Sequence, residues 1–286
     1  MKKIIRMAVT GMALLSMIAT TASAQALKIP APSPTSTLKQ NFGLGEVTIE
    51  YSRPGVKGRT IFGDVVPFGK IWRTGANATT KVTFSDDVKL EGNAVAAGTY
   101  GLYTIPNKDS WDIMLYKDLT LGGNVADYKS ENEVLRFKVK PQSIAGKVET
   151  FTINMADVTA SKANIQLQWD KTQVDIAVTT DVDTKVMKNI ETALSPDDKR
   201  PYFQAATYYY ENDKDMNKAL EWANKAIDQN KAFYVVHLKA KIQMKLKDYK
   251  GAAATAEQSM ALAKEAKNDD YVRMNEKIIA DAKKMK

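Results

Sequence analysis

The apolar period changes once along this chain, and that change limits what it can fold into. Between Leu38 and Val178 apolar and polar residues alternate in short runs. Val47, Ile49 and Tyr51 alternate with Thr48, Glu50 and Ser52. Residues 81–84 (KVTF), 88–90 (VKL), 111–116 (WDIMLY), 134–139 (VLRFKV), 148–155 (VETFTINM), 165–169 (IQLQW) and 174–178 (VDIAV) follow. Period two marks half-buried strands. Roughly ten such strands, broken by Gly, Pro, Asn and Asp turns with no helical run between them, predict an antiparallel β-sandwich or jelly-roll-like domain over 38–180. Near Asp181 the period becomes helical: Val182, Val186, Met187, Ile190 and Leu194 recur at helix spacing. Helix formers then predict helices near 201–212, 215–229, 232–246, 250–266 and 269–285, making 181–286 a helical region.

The N-terminal segment reads as an address. Lys2, Lys3 and Arg6 precede a short apolar core, and Ala22-Ser23-Ala24 fits a small-residue cleavage site, so 1–24 is expected to be a secretory signal peptide. Residues 25–37, with PAPSP, predict an extended, poorly ordered lead-in. No later run is apolar and long enough to span a membrane after signal cleavage. The expected location is outside the cytoplasm, in the periplasm or on the outer surface of a Gram-negative bacterium. The chain has no cysteine, so its fold needs a core large enough to stand without disulfides.

Charge separates the two regions. Of the net +8, the signal holds +3; residues 25–183 balance 18 cations against 18 acids, and residues 184–286 carry 20 against 15. An export address and mixed signs on helices argue against nucleic acid as a partner.

The residues exclude much chemistry. Without cysteine there is no thiol nucleophile or thiolate metal site, and His237 is the only histidine. It falls in a helix, where a lone His is more often packed than functional. Asp86-Asp87 reads as a turn, and Asp197-Asp198 and Asp269-Asp270 as helix N-termini. The run Asp213-x-Asp215-x-Asn217 begins like a calcium loop, but Lys218 and Asn224 stand where that loop needs Gly and Glu. No cofactor and no metal site are expected.

One stretch gathers turn residues, cations and aromatics: 51–77, YSRPGVKGRTIFGDVVPFGKIWRTGAN, with Arg53, Lys57, Arg59, Lys70 and Arg73. Arginine forks suit carboxylate, phosphate or sulfate groups, and Trp72 could stack on a sugar. The candidate ligand-binding set is Arg53, Lys57, Arg59, Trp72, Arg73 and Asn77. The competing role for the same residues is structural: arginines tied to backbone carbonyls, and Trp72 in the core.

The motifs SRPGVKGRTIFGDVVPFGKIWRTGAN, AAGTYGLYTIP, VETFTINM and QLQWDKTQVDI, in that order over about residues 28–180, resemble the bacterial family called domain of unknown function 2911. The resemblance implies an exported β-rich domain, often followed by tetratricopeptide-like helices, and supplies no catalytic residues. In the tail, Ala219 and Ala226, then Ala252 and Ser259 shifted by 33 residues, with Tyr249 before them, resemble tetratricopeptide hairpins over 201–286. The Trp and Gly of that repeat's first helix are missing. These readings favour a non-enzymatic binding or assembly protein. Its β domain would hold an anionic or carbohydrate ligand, and its helical tail would engage an envelope protein or peptide. The alternatives are a carboxylate-dependent glycan hydrolase and a purely structural envelope protein.

Overall fold

The computed structural model describes residues 29–121, 124–194 and 200–285. The expected signal peptide at 1–24 and the Asp197-Asp198 pair lie outside the described residues. The chain divides between Thr180 and Asp181 into two compact units.

The first unit is built from ten strands, β1 (Thr35–Phe42), β2 (Gly45–Ser52), β3 (Thr80–Phe84), β4 (Val88–Leu90), β5 (Asn93–Val95), β6 (Gly98–Ile105), β7 (Trp111–Tyr116), β8 (Glu133–Val139), β9 (Gln142–Ala156) and β10 (Lys162–Thr179). They make two antiparallel sheets, a six-stranded one in the order β1-β2-β3-β6-β7-β8 and a four-stranded one in the order β5-β4-β10-β9. One continuous core joins them. Val47, Ile49 and Tyr51 of β2 and Ile113 and Leu115 of β7 share it with Phe151 and Ile153 of β9 and Ile165 and Leu167 of β10. The Tyr51 hydroxyl ties the sheets together: it donates to the Ile153 carbonyl at 3.2 Å and accepts from the Ile153 N–H at 3.0 Å. A buried hydroxyl and a backbone group of the opposite sheet thus satisfy each other inside the core.

Three details differ from the sequence reading. The lead-in is already strand from Thr35, which pairs with Ser52. The runs 165–169 and 174–178 belong to one strand of 18 residues, β10. Its buried face passes from odd positions (Ala163, Ile165, Leu167, Trp169) to even ones (Val174, Ile176, Val178) across register shifts at Gln168–Thr172. Bulges there, with Asp170 at φ 52, reset the alternation that otherwise looks like a strand break. Finally, the polar stretch 117–132 is a cover. Its Val125 and Tyr128 pack over Tyr103, Met114 and Tyr116, which β6 and β7 turn away from the main core. The Tyr116 hydroxyl accepts from the Lys129 N–H at 3.1 Å.

The second unit has six helices among the described residues: α1 (Val182–Ala193), α2 (Tyr202–Glu211), α3 (Met216–Gln229), α4 (Phe233–Lys245), α5 (Tyr249–Glu265) and α6 (Asp269–Lys284). Asp181, Asp215, Asp248 and Asn268 cap four of them with side-chain oxygens, satisfying first-turn N–H groups. Asp215, from the run that begins like a calcium loop, is therefore an N-cap. From α2 onward each helix packs on the next. The seams are lined by small residues: Ala219, Ala223 and Ala226 on α3, and Ala252, Ala256, Ser259 and Ala263 on α5, all buried. Spacings of three and four keep them on one face, where the absence of bulk allows close helix approach.

His237 sits in this packing. Its Nδ1 lies 2.8 Å from Asn275 Oδ1, while Asn275 Nδ2 donates to Ser259 Oγ (2.8 Å) and the Tyr271 carbonyl (2.7 Å). With the amide nitrogen so engaged, the histidine donates through Nδ1–H. Burial holds the imidazole below its ordinary value. The Asn275 hydrogen bond opposes this and the Lys241 charge adds to it. The folded ring therefore stays neutral where the unfolded ring, with a pKa of about 6.5, takes a proton. This contribution to stability is complete above the unfolded pKa and is lost as pH falls through it toward the folded value. Urea titrations followed by helical circular dichroism should show the midpoint falling from about pH 7 to about pH 5, with a smaller drop in His237→Gln.

Candidate functional site

The segment joining β2 to β3 folds over the core as a chain of turns. It is pinned first to β9: the Val56 N–H donates to the Glu149 carbonyl at 2.7 Å and the Phe151 N–H to the Pro54 carbonyl at 2.9 Å. The Glu149 carboxylate accepts the Lys57 N–H at 2.7 Å. That bond leads the causes holding Glu149 below its usual value, with Lys147 and Arg59 adding charge. Further along, Trp72 and Thr104 exchange backbone hydrogen bonds of 2.7 and 2.9 Å, which fastens the segment to β6. Three non-glycine residues take positive φ: Lys57 (50°), Thr74 (54°) and Asn77 (57°). Gly75, at φ 156°, lies where an added Cβ would stand 3.1 Å from the Ser52 carbonyl, so the turn after Trp72 requires glycine.

This stretch helps line a cleft of about 370 Å³, whose lining includes Arg59, Lys70, Trp72, Arg73 and Trp169. Ligand cavities commonly measure about 300–1,000 Å³. Three cations and no carboxylate line it, together with Pro54, Val65, Val66, Pro67 and Ile71. Of the six residues singled out from the sequence, Arg59, Trp72 and Arg73 lie on this lining. Arg53, Lys57 and Asn77 do not.

Each of the six is held differently. Arg53 donates from Nε to the Phe151 carbonyl (3.1 Å) and from Nη2 to Thr152 Oγ1 (2.8 Å), which is a tie between the sheets. Asn77 donates to the Ser33 carbonyl at 3.2 Å. The Lys57 side chain is exposed. Arg59 also meets carbonyls, Val56 through Nε (3.1 Å) and Gly55 through Nη2 (2.7 Å), yet it remains exposed at the cleft. Two of a guanidinium's five N–H groups are thus committed, which fixes the fork and leaves three available. Trp72 is in the core. Its indole donates to the Gly75 carbonyl at 2.9 Å and stacks on Trp169, with ring centres 5.8 Å apart and planes 17° apart.

Sequence reasoning passed over Lys70, which it counted among the cations but did not place in the set, and Trp169, which it read as a strand residue. Trp169 comes from β10, some 90 residues further along the chain, just ahead of the bulged positions. No local pattern ties it to the β2–β3 segment. The Trp169 indole nitrogen is buried and has no hydrogen-bond acceptor.

The helical unit has a groove of its own, about 760 Å³, between α1 and the α2–α3 pair. Met187, Ile190, Leu194, Tyr209 and Trp222 line it, with four cations, Lys188, Arg200, Lys218 and Lys225, against two carboxylates, Asp183 and Glu191; Lys225 is paired with Glu221. Lys218 Nζ lies 5.1 Å from the Trp222 ring centre and 5.9 Å from that of Tyr209, within cation–π range. Asp183, on the same lining, is paired with Lys214 at 2.8 Å.

Among the described residues no group of three or more His, Cys, Asp or Glu side chains could hold a metal ion, and no helix is long and apolar enough to cross a membrane. Fold and cleft together define an antiparallel two-sheet protein with a cationic, carboxylate-free cleft, followed by a helical unit. The chain belongs to the family of proteins of unknown function DUF2911, whose model matches residues 33–178. Neither the search of curated proteins nor that of solved structures found a match.

Proposed function

We propose that this is an exported, non-enzymatic binding protein whose β unit captures an anionic ligand in the Arg59–Trp169 cleft. The observation carrying this reading is the composition of the lining, which holds Arg59, Lys70 and Arg73 and no carboxylate. A glycan hydrolase of the carboxylate type needs two acids about the scissile bond, and this lining offers none. The leader-like residues 1–24 support export, to the periplasm or outer surface. The arginines divide by role: Arg53 is a structural tie, and Arg59 is the ligand contact.

The test is a calorimetric titration of the full chain with phosphate, sulfate and sodium glucuronate, with glucose as the neutral control. At least one anion should bind, more weakly at high salt, and Arg59→Ala should weaken it by about tenfold or more. Binding of glucose as tight as of any anion, or no anion binding, would refute the reading.

The helical unit is proposed to dock an envelope protein through a tetratricopeptide-like stack. The buried small-residue seams of α3 and α5 support the repeat assignment, and the groove beside α1 supports an acidic segment as the partner's contact. Lys218→Glu should abolish capture of that partner while leaving ligand binding at the β unit unchanged.

A further inference from the structure

We propose that the β unit carries a second ligand site, for a neutral oligosaccharide, in a cleft beside the bulge of β10 and along the row of amides that continues from it. This cleft measures about 470 Å³ and shares no lining residue with the cationic one. Phe62 and Phe68, both half-buried, give it two aromatic rings. Both rings are fixed. Phe62 meets Trp111, Trp72 and Trp169 edge-on, with ring centres 4.9, 6.1 and 6.2 Å apart. Phe68 lies so close to Gly63, itself at φ 98°, that an added Cβ there would stand 2.8 Å from the ring. The Gly69 N–H donates to the Pro106 carbonyl at 2.9 Å and ties this turn to the residue before Asn107. The polar lining is mostly uncharged, with Thr60, Asn107, Gln142, Ser143 and Thr172, and its charged residues, Lys108, Lys171 and Asp170, are of both signs. Asn107 and Asp170 are half-buried, and among the described residues no hydrogen bond or ion pair engages their side chains. Asp170 stands at the bulge with φ 52°, the kind of irregularity that re-aims a side chain beside a site.

Gln142 belongs both to the cleft and to the row. On β10, Gln166, Gln168, Gln173 and Asp175 alternate with buried Ile165, Leu167, Val174 and Ile176, so they face outward. The Asp175 carboxylate accepts from the amides of Gln142 (3.2 Å), Gln166 (3.0 Å) and Gln173 (2.8 Å), and Gln168 donates to the Gln173 side-chain oxygen at 2.7 Å. One carboxylate thus orders the row. A primary amide has two N–H donors and a carbonyl acceptor, so Gln142, Gln166 and Gln168 each keep a donor and an acceptor, held in position before a ligand arrives. The ligand classes separate on these features. An apolar ligand answers the phenyl rings but strips water from the amides without replacing its hydrogen bonds. An inorganic anion has no apolar face for the rings. A sugar answers both, since its C–H face covers an aromatic ring and its hydroxyls donate and accept. The row beyond the cleft calls for more than one sugar unit.

The experiment is a calorimetric titration of the full chain with cellotriose, laminaritriose, mannotriose and triacetylchitotriose, with glucose as the single-unit control. At least one trisaccharide should bind about tenfold or more tightly than glucose, with an affinity that added salt leaves unchanged, because the ligand has no charge to screen. Phe68→Ala and Asn107→Ala should each weaken it by about tenfold. Gln166→Ala should weaken the trisaccharide and leave glucose as it was. Arg59→Ala should change nothing, which separates this site from the anion cleft. Asn107→Ala carries the test should Phe68→Ala not fold. Binding of no trisaccharide, binding no tighter than that of glucose, or binding undiminished in every folded variant of Phe68 and Asn107 would overturn the proposal. Loss of binding in Arg59→Ala would put the sugar in the other cleft and overturn it as well.

Discussion

Trp72→Ala should cost the β unit roughly 3–5 kcal/mol, the upper range for truncating a buried aromatic. Four aromatic rings surround Trp72: Trp169 stacked on it, and Phe62, Trp111 and Phe151 meeting it edge-on at 6.1, 6.2 and 5.2 Å between centres. Truncation leaves a cavity lined by rings that cannot collapse together, because Trp111 is fixed on β7, Phe151 on β9 and Trp169 on β10. It also orphans the Gly75 carbonyl, which accepts the indole N–H. Domains of this size are stable by about 5–15 kcal/mol, so the variant stands near the edge of folding. Trp72→Phe keeps most of the packing and should lose less, about half as much. Urea unfolding followed by tryptophan fluorescence measures both, since three of the four tryptophans lie in this unit. A loss below about 1 kcal/mol in Trp72→Ala would show that the ring cluster is not the keystone of this end of the sandwich.

Asn275→Ala carries the second large effect, a loss of roughly 2–4 kcal/mol confined to the helical unit. Asn275 is fully buried, and its amide links α6 to His237 of α4 and Ser259 of α5. Ser259 in turn donates to the Phe233 carbonyl at 2.7 Å. The substitution strips the His237 N–H of its acceptor and opens a small void between three helices. A buried donor without a partner costs more than the pair contributes when intact. Adding His237→Phe to Asn275→Ala should therefore recover part of the loss, a non-additivity that a double-mutant cycle measures directly. Simple additivity would mean that the two residues do not act through their hydrogen bond.

The elements were legible because burial imposes period two on one unit and helix spacing on the other. The helices end within a residue or two of where composition and capping residues place them, as with Asp215 ahead of α3 and Asn268 ahead of α6. What escaped was set by tertiary geometry. A bulge near Asp170 moves the buried face of β10 by one residue, so one strand resembles two. Tyr128 lies in a polar loop, yet it stacks on Tyr116 with ring centres 4.5 Å apart, because β7 turns that aromatic to the side away from the main core, where the loop buries it. The site was half legible. Turn residues and cations mark the 51–77 stretch, but Arg53 and Arg59 are equivalent in sequence. Only the path of the chain turns one toward β9 and leaves the other at the cleft. Trp169 could not be joined to them from any spacing, since the pairing of β9 with β10 brings it there.

The central claim is that this stretch holds a ligand through Arg59 while Arg53 holds the fold. Parallel calorimetric and thermal-melting measurements on Arg53→Ala and Arg59→Ala, with phosphate, sulfate and sodium glucuronate as titrants, test it most directly. The account predicts that Arg59→Ala melts within about 2 °C of the parent and binds about tenfold or more weakly, whereas Arg53→Ala melts several degrees lower and keeps the parent's affinity. Equal affinity in the parent and Arg59→Ala, or loss of binding only in Arg53→Ala, would contradict it.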